Sequence, residues 1–190
     1  MRKNLKHFYC VDLEATCWET KEEQGYKPNE IIEIGIAELV VATGEVRDIY
    51  SYVVKPKFTT VSPFCTQLTG WTQEEVNEGA SIELVVAAIK HDYHLNKDNV
   101  WCSYGEYDRV KLGCQGGGSL KALYGIERHQ NIFAEMRHFN VKTFFALKHK
   151  LKREIGMDRA LAHIGEKLEG RHHNGADDAA NIAKLARHVL

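Results

Sequence analysis

The chain has 190 residues, 44% of them hydrophobic and 27% charged, with a formal net charge of −1. That length supports one domain with a substantial core and is short for two, and the composition excludes a disordered chain. No stretch approaches the roughly 18 apolar residues of a membrane span, so no membrane partner is expected.

The basic start, Met1-Arg2-Lys3-Asn4-Leu5-Lys6, leads into an apolar run that Asp12 and Glu14 interrupt, so no secretory leader is expected. Residues 7–14 predict a first strand, and those two carboxylates are its anomaly. Residues two apart on a strand share a face, so Asp12 and Glu14 place two negative charges side by side. Repulsion and lost hydration both oppose that, and a divalent cation would relieve both. The pair therefore reads either as half of a metal site or as a strand end whose acids face water.

Residues 19–30, polar and holding Gly25 and Pro28, predict a surface loop near the pair. Residues 31–41 and 45–55 are rich in β-branched and aromatic side chains, and Thr43-Gly44 between them suggests an antiparallel hairpin. Ser62 and Pro63 suit the cap and first turn of a short helix that Leu68-Thr69-Gly70 ends. Ile82, Val85, Val86 and Ile89 recur at helical spacing over 81–91. Residues 99–104 predict a strand, followed by a helix that carries Asp108, Val110, Lys111 and Leu112. Gln115 to Ser119 reads as a flexible glycine turn, without the ending of a phosphate loop. A short strand over 138–141 leads into a basic helix over 142–153, and helices over 158–168 and 175–190 finish the chain. Strands alternating with helices favour parallel pairing in this half. Five cysteines, Cys10, Cys17, Cys65, Cys102 and Cys114, are odd in number and form no CxxC pair, which suits reduced thiols in a cytoplasmic protein.

Near the C-terminus, His173 stands five residues before Asp178 at the entry to an amphipathic helix, so it can reach toward whatever Asp178 binds. Asp177 reads more simply as a complement to the helix dipole. The order is then Asp12-x-Glu14 on the first strand, Asp108 after a middle strand, and His173 with Asp178 at the last helix. Together these residues say far more than any one of them.

This order resembles the DEDDh family of 3′ to 5′ exonucleases. Asp12-Leu13-Glu14-Ala15-Thr16-Cys17-Trp18-Glu19, Phe64 to Gly70 and Phe139 to Lys142 resemble segments of its Eri-type branch. The resemblance spans nearly the whole chain. It implies a single α/β domain, residues 1–190, with an RNase H-like mixed five-stranded sheet: the first three strands antiparallel, the rest parallel, and helices on both sides. It implies metal ligation by Asp12, Glu14, Asp108 and Asp178, and proton abstraction by His173. Two Mg²⁺ ions would clamp the scissile phosphate, with Mn²⁺ able to substitute, because such hard cations prefer oxygen ligands. The implied reaction is hydrolysis of single-stranded 3′ ends, RNA favoured over DNA, to nucleoside 5′-monophosphates. Ala15 and Thr16 would offer backbone groups to the terminal sugar and phosphate, while Trp18, Phe64 and Leu68 pack on the last base. Lys148, Lys150 and Lys152 would track the phosphate backbone. The rival readings are a phosphodiesterase of small nucleotides and a non-catalytic binding protein that keeps the same fold.

Overall fold

In this computed structural model, which describes residues 5–113, 116 and 118–190, the strand expected at 7–14 is β1, His7–Ala15. Residues 1–4, Cys114, and positions 115 and 117 of the expected glycine turn lie outside the described residues. Four further strands follow: β2 (Ile31–Val40), β3 (Val46–Val53), β4 (Val100–Ser103) and β5 (Arg137–Asn140). They form one sheet in the order β3-β2-β1-β4-β5. β1–β2 and β2–β3 pair antiparallel, β1–β4 and β4–β5 parallel, as the mixed-sheet expectation has it. Gly44, at φ 72°, makes the hairpin turn between β2 and β3 without steric cost.

Alternation along β1 divides the core. Tyr9, Val11 and Leu13 face one layer with Ile82, Val85, Val86 and Ile89 of α4 (Ile82–Asp92). Phe8 and Cys10 face the other, with Ile182, Ala183, Leu185 and Ala186 of α10 (Gly175–Arg187) and Phe145 of α8 (Val141–Lys148). Asp12 and Glu14 share the parity of Phe8 and Cys10, so their carboxylates point toward α10.

Ser62 accepts the Cys65 amide and Pro63 opens α2 (Pro63–Thr69), and Gly70, at φ 88°, closes it as expected. Several boundaries differ from the sequence reading. The polar 19–30 segment contains one helical turn, α1 (Lys21–Gln24). The basic helix ends at Lys148 rather than 153, because the chain turns through Lys150 at φ 55°. That turn brings Leu151 and Ile155 against the α10-side core. The next helix, α9 (Met157–His163), stops before the left-handed Gly165. Three helices were too short to show a period: α3 (Gln73–Asn77), α6 (Leu120–Tyr124) and α7 (Ile132–Glu135), together with a 3-10 turn at Arg128–Gln130. α5 (Tyr107–Leu112) carries Asp108 as anticipated. Cys10, Cys17, Cys65 and Cys102 are free thiols, and among the described residues no helix is long and apolar enough to cross a membrane.

Candidate active site

The carboxyl end of β1 and the first turn of α10 meet beside β2. Asp12 pairs with Gly35 and Glu14 with Glu33 in the β1–β2 ladder. Gly35 has no side chain to hold α10 away: a Cβ there would stand 1.8 Å from the carbonyl carbon of Gly175. This close approach sets Asp178 over the strand. Carboxylate oxygens of Asp12, Glu14 and Asp178 come within 4.8 Å of one another. Asp108 approaches from α5, outside that cluster, with its Oδ1 accepting the Leu13 amide at 3.1 Å. All four acids predicted from the sequence therefore converge on the carboxyl end of β1.

The loop before α10 holds the histidine. His173 adopts φ 64°, and its amide donates to Asp178 Oδ2 at 2.9 Å. Its ring is stacked on that of His172, with centroids 4.1 Å apart, and its Nδ1 lies 3.9 Å from Glu14 Oε1. His172 Nδ1 sits 2.9 Å from Asp178 Oδ2. The two adjacent histidines are thus sorted by structure: His172 against Asp178, His173 toward the acids of β1.

Crowded charge in a dry place raises these acids. Burial, followed by repulsion from Asp108, Asp178, Glu14 and Glu33, pushes Asp12 well above the usual carboxylate range. Burial and then Glu33 raise Glu14 to about 8, and burial raises Asp108 to about 7 despite its hydrogen bonds. Burial also raises Asp178, while it lowers His173. An all-oxygen set that repels itself this strongly fits a hard divalent cation, whose charge would restore the ionised forms.

The expected substrate contacts fall into four groups. Phe64 and Leu68 lie one turn apart on α2 and are half-buried. α2 is tied to the site at both ends: Ser62 Oγ donates to the Cys17 carbonyl at 2.6 Å, and Arg171 donates to the Gln67 carbonyl at 3.2 Å. Trp18 is half-buried, with Lys27 Nζ 4.9 Å above its ring. Ala15 and Thr16 are buried, and the amide, carbonyl and hydroxyl of Thr16 all have partners within the protein, among them Glu30, Asn29 and Thr59. Lys148 ends α8, about 10 Å along its axis from Val141, and Lys150 and Lys152 lie in the turn beyond it.

Glu33 is the functional-site residue that pattern reasoning passes over. Its fully buried carboxylate accepts Trp71 Nε1 at 2.7 Å, Ser51 Oγ at 2.6 Å and the Gly175 amide at 3.0 Å. It therefore anchors the first residue of α10. The signal was available, since Glu33 interrupts the apolar Ile31-Ile32-Glu33-Ile34 as Asp12 interrupts β1.

The sheet order and the carboxylate–histidine centre define a class: an RNase H-like α/β nuclease domain. The chain belongs to the Exonuclease family, RNase T type, whose model matches residues 9–186. It is 30% identical to ERI1 exoribonuclease 2 of Mus musculus over 96% of its own length, which is 29% of that protein. It is 26% identical to the 3'-5' exonuclease Snipper of Drosophila melanogaster over 92% of this chain and 66% of the relative. Among solved structures, the nuclease domain of 3'hExo, a DEDDh family member bound to rAMP, superimposes with a TM-score of 0.83 at 26% identity. That match covers 97% of this chain and 91% of the other. The chain thus spans under a third of ERI1 exoribonuclease 2 and about two thirds of Snipper.

Proposed function

We propose that this chain is a divalent-metal-dependent 3′ to 5′ exonuclease that removes nucleoside 5′-monophosphates from single-stranded RNA ends. One observation carries the reading: Asp12, Glu14 and Asp178 converge within 4.8 Å, with the His173 ring beside Glu14. A pure binding module has no need to confine these acids around one point. Asp12, Glu14 and Asp178 would hold Mg²⁺ or Mn²⁺, with Asp108 serving a second ion from α5. When bound, the metal supplies Lewis-acid polarisation of the phosphate and neutralises developing charge.

The rest is work for the chain's own residues. Phe64 and Leu68 pack against the terminal base from α2, with Trp18 at the cleft's edge. His173 is kept unprotonated at neutral pH by burial, so its ring accepts the proton of the attacking water. The new bond joins that water oxygen to phosphorus; the bond to the 3′ oxygen of the preceding nucleotide breaks, and that oxygen leaves and gains a proton. Lys148, Lys150 and Lys152 meet only substrates long enough to reach the far end of α8. RNA is favoured over DNA because relatives such as ERI1 exoribonuclease 2 are named exoribonucleases. Free thiols suit a reducing cytoplasm.

Matched RNA and DNA oligonucleotides, blocked at either end and incubated with Mg²⁺ or chelator, test the proposal. Stepwise shortening of RNA from an open 3′ end, only with metal, is expected. Shortening that a 3′ block does not stop, or that persists in Asp12→Ala, would overturn it. Cleavage of dinucleotides alone would favour the phosphodiesterase reading, and retention without cleavage the binding module.

A further inference from the structure

A groove of about 900 Å³ runs along the sheet edge formed by β5, opposite the β3 edge. Arg109 and Val110 of α5, Arg128 of the 3-10 turn, Arg137 and Phe139 of β5, and Phe144 of α8 line it. All three arginines are exposed, and so are two apolar side chains, Val110 at 41% and Phe144 at 50%. The Phe139 and Phe144 rings lie 4.8 Å apart and tilted by 53°. Glu106, the one acid among the described residues that line it, is engaged by Arg109 at 2.5 Å and by Asn140 at 2.9 Å. His138 adds no charge at neutral pH, since burial lowers it to about 4.

The groove thus combines a cationic excess with exposed aromatic surface, the two ingredients by which proteins hold a polyanion whose rings can stack. An uncharged peptide would have little use for three guanidinium groups. The position matters as much as the chemistry. Arg109, which lines the groove, follows Asp108, a proposed metal ligand, directly in the sequence of α5. Resting on the exonuclease reading above, we propose that the groove is an exosite for the part of the single-stranded substrate lying 5′ of the nucleotides being removed. Arg128 and Arg137 meet its phosphates and Phe144 stacks on a base.

Arg128→Gln, Arg137→Gln and Phe144→Ala in the full chain test the exosite, with kcat/KM measured on a dinucleotide and on an RNA dodecamer. Binding of the dodecamer is followed separately by fluorescence anisotropy in an Asp12→Ala background, where cleavage does not interfere. Phe144→Ala should weaken dodecamer binding about five- to a hundredfold. Each arginine replacement should cut the slope of log affinity against log salt by about 0.7. Dinucleotide turnover should stay at the level of the unmodified chain. Equal losses on both substrates, or no loss on the dodecamer, would overturn the proposal; so would variants that keep RNA affinity and lose only an acidic peptide. If the unmodified chain cleaves neither substrate, the exonuclease reading fails while the anisotropy series still decides the groove.

Discussion

Asp12 and Glu14 are held where the fold alone would not choose to put them. Each is raised by burial and by its acidic neighbours, so the metal-free protein carries their repulsion as a cost. Asp12→Asn keeps the shape and removes one charge. In chelator its Tm should therefore rise, by about 2–4 °C for each kcal/mol of repulsion relieved. Its RNA cleavage should fall by more than the 10- to 100-fold typical of a residue that merely supports a metal ligand. A lower Tm in chelator would mean that the cluster is not repulsive. His173→Ala should lower turnover about 10²- to 10⁴-fold while leaving metal affinity in place, which calorimetry checks. These residues were legible because a carboxylate in an apolar strand is conspicuous. Glu33 shows the same break in β2, but its partners Trp71, Ser51 and Gly175 come from three separate segments, and no local pattern contains them. Between the adjacent His172 and His173, the five-residue spacing to Asp178 already singles out His173 in the sequence, and the left-handed turn at His173 supplies the geometry behind that choice.

At the scale of elements, the site depends on how closely α10 lies on β2. Gly35 faces Gly175 with backbone against backbone, and Glu33 Oε2 accepts the Gly175 amide beside that contact. Gly35→Ala drives a methyl into the Gly175 carbonyl, where no flexible side chain can give way. The expected cost is about 3 kcal/mol or more, with a Tm drop of roughly 6–12 °C. Cleavage should fail with it, since displacement of α10 takes Asp178 away from Asp12. An unchanged Tm would show that α10 shifts freely over the sheet. The strands were readable from their β-branched, aromatic and apolar runs, and α2 from Ser62, Pro63 and Gly70. The end of α8 was not, because it is set by tertiary burial of Leu151 and Ile155 rather than by any breaker in 149–153. That is why Lys150 and Lys152 lie beyond the helix that was expected to carry them with Lys148.

At the scale of the molecule, a net charge of −1 conceals a separation: acids gathered at the floor of the site, and exposed arginines along the β5 edge. The separation makes stability depend on pH in a definite direction. Above about pH 4.5 the unfolded chain releases the Glu14 proton, while the folded chain keeps it until about 8. In that window the folded state binds more protons, so rising pH removes stability from the metal-free protein. Glu30 acts in the opposite sense: although burial opposes it, hydrogen bonds led by Thr59 and the Lys57 amide hold it below its ordinary value, so its contribution is complete above about pH 4.5. His138 and His173, both lowered by burial, titrate in any variant that leaves them in place. Comparing the unmodified chain with Glu14→Gln therefore cancels them. In chelator the Tm advantage of Glu14→Gln should grow as pH rises from about 5 to about 8. Added Mg²⁺ should reverse its sign: a ligand at about 100 times its Kd contributes about 2.7 kcal/mol to the chain that binds it, and little to the variant that has lost a ligand. Because binding must displace the protons held by Glu14 and Asp108, the Mg²⁺-induced rise should also be larger at pH 8 than at pH 6. An advantage that stays constant with pH, or an equal Mg²⁺ response in both proteins, would separate Asp12 and Glu14 from metal binding.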